Sequence, residues 1–114
     1  MENNIIPKPN RPKQKIEGYW YSKHSIEYLM PVPYVLTQEQ ADEIYELIKQ
    51  KEKTARVISF RGVSTSRLDG SYVGSQEYHT DEWIWPQGFA EHYVKKYRVK
   101  PSIDFLKYIG YDVK

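Results

Sequence analysis

The chain has 114 residues, a length that fits one domain with a single modest core. It holds no cysteine, which excludes disulfides and thiolate metal sites, and no run approaches the roughly 20 apolar residues of a membrane-crossing helix. Lys8, Arg11, Lys13 and Lys15 against Glu2 give residues 1–15 a charge of +3; with a total of +2, residues 16–114 carry −1, and no broad basic face for nucleic acid is expected.

Residues 1–15 contain Pro7, Pro9 and Pro12 and few apolar side chains. They read as a flexible basic arm, and residues 16–114 as one globular domain. The N-terminus lacks the apolar stretch of a signal peptide, so a cytoplasmic location is expected, without a membrane partner. Ile16 to Tyr21 reads as a short extended segment. From Ser22 to Pro33, Ile26, Tyr28 and Met30 alternate loosely like a strand, and Pro31 and Pro33 confine any strand there to an edge.

Thr37-Gln38-Glu39-Gln40 has the spacing of a capping box, with Thr37 as N-cap. Ala41, Ile44, Tyr45, Leu47 and Ile48 then form an apolar helical stripe, and Lys49, Lys51 and Lys53 suit the negative end of the helix dipole. Thr54 to Arg61 is rich in β-branched residues and reads as a strand. A polar loop, Gly62 to Ser75, follows, with a hairpin-turn signal at Asp69-Gly70. Gln76 to Thr80 reads as a second strand with Glu77 and His79 on one face, and Trp83-Ile84-Trp85 as a third. Pro86 suits the first turn of a helix whose face is Phe89, Ala90, Tyr93, Val94 and Tyr97. A last helix starts after Pro101, packs through Ile103, Phe105, Leu106 and Ile109, and ends at Gly110. The fold class is α+β: a small antiparallel sheet of three or four strands, packed by two to three helices in a single domain.

Five runs in the C-terminal half share a pattern: Ser66-Arg67-Leu68-Asp69-Gly70, Gly74-Ser75-Gln76-Glu77-Tyr78, Trp85-Pro86-Gln87-Gly88, His92-Tyr93-Val94-Lys95-Lys96-Tyr97 and Pro101-Ser102. Residues 61–109 thereby resemble small bacterial and phage proteins with a Cys-Arg-x-Cys-Gly, Trp-Pro-x-Gly, His-Tyr-Val-x-x-His core. That resemblance implies a zinc-finger-like scaffold without implying an activity. Its four metal ligands would be two thiolates and two imidazoles. In this chain Ser66, Asp69 and Tyr97 replace three of them and only His92 matches, so no metal is expected. A hydrogen-bonded cluster of Ser66, Asp69, His92 and Tyr97 is expected instead.

For binding, the candidate residues are Arg61, Ser64, Arg67, Tyr72, His79 and Trp83. Two arginines fork onto phosphate or carboxylate, small residues offer hydroxyls and N–H groups, and aromatic rings stack a base. A catalytic reading would take His79 or His92 as base, Ser64 or Ser66 as nucleophile, and Asp69 or Asp81 as orienter. No nucleophile elbow, metal motif or phosphate loop supports it. The expectation is non-catalytic binding of a protein partner through the Arg61–Asp69 loop, as in a phage or bacterial host-modulating protein, with no cofactor. The alternative is a nucleotide or other phosphate-bearing ligand held by Arg61 and Arg67.

Overall fold

In the computed structural model, which describes residues 14–18 and 31–112 and the backbone alone at 60–64, Thr37 opens the first helix, α1 (Gln38–Glu52). Both halves of its capping box form: Thr37 Oγ1 accepts from the Gln40 N–H, and Gln40 Oε1 accepts from the Thr37 N–H. Ala41, Ile44 and Ile48 on its inner face are fully buried.

The sheet follows. Strands β2 (Arg56–Thr65), β3 (Tyr72–His79) and β4 (Trp83–Pro86) form the expected antiparallel meander. The fourth strand is β1 (Lys15–Ile16), at the start of the expected extended segment Ile16–Tyr21; it pairs parallel with β4, so the sheet is mixed, in the order β1-β4-β3-β2. Lys15, the last residue of the expected arm, therefore sits in the sheet, while residues 1–13 and 19–30, which include the loosely strand-like Ile26, Tyr28 and Met30, lie outside the described residues.

Strands β2 and β3 run further than their composition suggests, and the loop shrinks to Ser66–Ser71. Ser59 pairs with Gln76 and Ser64 with Gly74, five steps on β2 against two on β3, so β2 bows outward as a bulge. Gly74 sits opposite that bulge with φ +148°, and a Cβ there would lie 2.5 Å from Gln87 Oε1.

Pro86 ends β4 instead of starting a helix. Gly88, in the left-handed region at φ +87°, redirects the chain, and Phe89–Lys96 winds as a π-helix. Its five-residue bond is explicit where the Tyr97 N–H donates to the His92 carbonyl at 3.2 Å. The final helix, α2 (Ile103–Ile109), is capped by Ser102 Oγ on the Phe105 N–H and ended by Gly110. Ile103, expected to pack, faces solvent.

One core joins these pieces. Trp83 and Trp85 on β4, Phe89, Ala90, Tyr93 and Val94 on the π-helix, and Phe105, Leu106 and Ile109 on α2 bury against the inner face of α1. The Phe105 ring meets Trp83, Trp85 and Phe89 edge-on at 5.1, 5.5 and 5.8 Å between centroids. Burying each such ring contributes about 1.5–3 kcal/mol, so this cluster fixes the π-helix against the sheet.

Candidate functional site

The π-helix and the β2–β3 loop meet in a polar cluster. Ser66 Oγ accepts from the Leu68 and Asp69 N–H groups at 3.0 and 3.2 Å. The same oxygen lies 2.7 Å from His92 Nε2. Asp69 Oδ2 accepts from the Tyr97 hydroxyl at 2.7 Å, and Oδ1 from the Ser71 N–H and hydroxyl at 2.9 and 2.6 Å. The Arg67 N–H donates to the Tyr93 hydroxyl at 2.9 Å. The structure thus brings Ser66, Asp69, His92 and Tyr97 into one network.

The π-helix makes this possible. In an α-helix, residues 92 and 97 would project about 140° apart; a turn of about 4.4 residues narrows that to about 50°. The two rings accordingly touch edge-on with centroids 5.1 Å apart.

The electrostatics are those of a latch. Hydrogen bonds from Ser71 and Tyr97 hold the Asp69 carboxyl well below the usual carboxylate range. The bond to Asp69 pushes the Tyr97 phenol up. Burial pushes His92 down against the pull of Asp69, so the ring is neutral at pH 7. The Ser66 hydroxyl then donates to His92 Nε2 while its oxygen accepts two N–H groups, which uses its full capacity.

The cluster does not have the geometry of a Ser-His-Asp triad. In a Ser-His-Asp triad the base meets its two partners through different ring nitrogens. Here Asp69 Oδ1, at 3.5 Å, and Ser66 Oγ both face His92 Nε2, and Ser66 is buried. Among the described residues no group of three or more His, Cys, Asp or Glu could hold a metal.

Of the six expected binding residues, the four whose side chains are described, Arg67, Tyr72, His79 and Trp83, do not share one site. The side chains of Arg61 and Ser64 lie outside the described residues. Arg67 is half-buried beside the latch. Tyr72 is exposed at the start of β3, its hydroxyl 3.2 Å from Ser75 Oγ. His79 ends the same strand, Nε2 2.9 Å from Glu77 Oε1, seven strand steps or about 23 Å away. Trp83 is buried against Phe105 and Tyr108, with the Lys15 ammonium 5.5 Å from its ring, and so offers no stacking platform. Its burial was readable: Trp83 and Trp85 share one face of a period-two strand.

A different surface went unread. In Pro31-Val32-Pro33-Tyr34-Val35, the side chains of Val32, Tyr34 and Val35 are 62%, 59% and 53% exposed. The backbone beneath them is held: the Tyr34 N–H donates to the Tyr97 carbonyl at 2.7 Å, and the Val35 and Leu36 N–H groups share the Arg98 carbonyl at 3.1 and 3.0 Å. Tyr34 and Arg98 both adopt left-handed φ, +63° and +55°. The Arg98 guanidinium lies 5.1 Å from the Tyr34 ring, and Tyr34 lies 6.1 Å from Tyr97.

No family model, curated protein or solved structure matches this chain. The functional reading therefore rests on this geometry. Tyr97 connects the two surfaces, since its carbonyl anchors the apolar ridge and its hydroxyl closes the latch.

Proposed function

We propose that the protein is a non-catalytic binding module that engages a protein partner through the ridge Val32-Tyr34-Val35, with Tyr97 and Arg98 at its base. The observation that carries this reading is the combination of apolar exposure and backbone strain. Left-handed φ at a non-glycine residue costs about 1–2 kcal/mol, and this chain holds two such residues in direct contact under exposed apolar side chains. Two prolines stiffen the same segment, which lowers the ordering entropy lost on binding. Tyr and Arg beside small aliphatic groups match the composition of interface centres. The contact surface is thereby moved away from the Arg61–Asp69 loop, where the Ser66 and Asp69 side chains are used in the latch. The expectation of a protein partner is kept.

A photo-crosslinking residue at position 35 tests it, with position 46 on the exposed face of α1 as the control. A defined crosslinked partner at position 35, lost when Tyr34→Ala is added, is expected. Equal crosslinking from both positions, or none from position 35, refutes the reading.

A further inference from the structure

At the end of the sheet away from the latch lies an open cleft of about 750 Å3. The last turn of α1, the start of β2, the β3–β4 turn and α2 bound it. Lys51 and Arg56 line it together with Asp81, Glu82, His79 and Tyr108. Two fixed positive and two fixed negative charges therefore share one cleft. Among the described residues none of these four makes an ion pair; the pairs within 4.0 Å are Lys49 with Glu52 and Glu91, His79 with Glu77, and His92 and Lys96 with Asp69. The Lys51 ammonium rests over the Tyr108 ring instead, 4.6 Å from its centroid. His79 is occupied by Glu77.

Opposite charges that line one concavity without meeting leave a field across it. A simple anion gains from Lys51 and Arg56 but is repelled by Asp81 and Glu82, and a simple cation meets the reverse. A ligand carrying both signs gains from both sets. The volume falls in the range of small-molecule sites. We propose that this cleft binds an amino-acid-like zwitterion, a free amino acid or a short peptide with both termini free, its carboxylate toward Lys51 and Arg56 and its ammonium toward Asp81 and Glu82. The site is separate from the ridge, so either can fail without the other.

The test is an amide-shift NMR titration of the full chain with triglycine, glycine, N-acetyl-triglycine amide and inorganic phosphate. Saturating shifts at Lys51, Arg56 and residues 79–83 with triglycine, absent with the doubly blocked peptide, are expected. The comparison with glycine separates the peptide source from the free amino acid. Arg56→Ala and the pair Asp81→Asn/Glu82→Gln should each weaken binding about tenfold. All three sites are exposed, and the blocked peptide tests the wild-type chain independently of any variant's folding. Absence of saturable shifts with both zwitterions overturns the proposal. So do shifts elsewhere, and equal binding of phosphate or of the blocked peptide.

Discussion

Replacing Lys49 with Met should destabilise the fold by about 3 kcal/mol at neutral pH, through a carboxylate the substitution does not touch. Glu52 is buried, and its Oε2 accepts from the Trp85 indole N–H at 3.0 Å. The Lys49 ammonium stands 2.7 Å from Oε1 and 2.6 Å from Glu91 Oε2. Burial pushes the Glu52 carboxyl up, against the bonds from Lys49 and Trp85. Burial alone would lower Lys49, but its bonds to Glu52 and Glu91 prevail and raise it. Removing one partner of a buried pair costs about 3–5 kcal/mol; the Lys49 side chain is 31% exposed, so water screens part of the contact and the lower figure applies. Loss of about 3 kcal/mol lowers Tm by roughly 10 °C in a domain of this size. The sign of the pH effect is fixed by Glu52. Its folded pKa lies above the ordinary 4.5, so stability falls as pH rises from about that value, and falls further once Lys49 is gone. The deficit should therefore be small near pH 4 and full at about pH 7. Adding Glu52→Gln, which keeps an acceptor for Trp85, should recover about 2 kcal/mol. Urea unfolding followed by tryptophan fluorescence at both pH values reads all three quantities. A deficit under about 0.5 kcal/mol, one that does not change with pH, or a double variant no better than the single would refute the reasoning.

Three further outcomes are expected. Thermal unfolding should rank Gly88→Ala as most damaging, then Gly74→Ala, then Gly70→Ala. A Cβ at 88 meets the Val73 carbonyl at 2.6 Å, one at 74 meets the movable Gln87 side chain, and one at 70 meets nothing within 4 Å and adds only left-handed strain of about 1 kcal/mol. Asp69→Ala should speed amide exchange at Gly70 and Ser71 and leave α1 unchanged; because the Asp69 pKa is lowered, the wild-type latch holds above its ordinary value of 3.8 and loosens as pH falls below it. Glu17, buried with its carboxylate accepting from the Ser102 N–H and hydroxyl at 2.8 and 2.7 Å, has its pKa raised by burial. Wild-type Tm should accordingly decline as pH rises from about 4.5, and Glu17→Gln should flatten that slope; an unchanged slope would count against it.

What the sequence discloses is what depends on near neighbours. The capping box at Thr37 and the apolar stripe after it lie within a few turns, so α1 was readable. The Asp69-Gly70 signal placed the hairpin turn for the same reason. Pro86 misled because two conformations suit it: a helix start, and the last position of a strand, where no further ladder N–H is required. The true redirection is at Gly88, where both a left-handed φ and the nearby Val73 carbonyl, which a Cβ would meet at 2.6 Å, call for glycine. An extended segment at Ile16 was legible but its pairing in β1 was not, because two residues carry no periodicity and the partner is 68 positions away, Lys15 beside Trp83. The π-turn that places His92 and Tyr97 on one face leaves no mark in a pattern read at 3.6 residues per turn. The ridge at Val32–Val35 was hidden for the opposite reason. Its prolines announced irregular backbone, but its rigidity comes from carbonyls at Tyr97 and Arg98.

The junction of β1 with the C-terminal part also orders events in biosynthesis. Lys15 and Ile16 find their strand partners only at Trp83 and Ile84, and the Glu17 carboxylate is met by Ser102, 85 residues later. A ribosome delivers the chain from its N-terminus, so the first strand emerges long before anything exists to receive it. Helix α1 and the β2–β3 hairpin can form from local contacts during that interval. The sheet gains its β1 edge only after β4 is out, and the Glu17 clasp closes once the start of α2 follows. Contacts of such long sequence separation slow folding, so this fold completes only once β4 and the start of α2 have emerged.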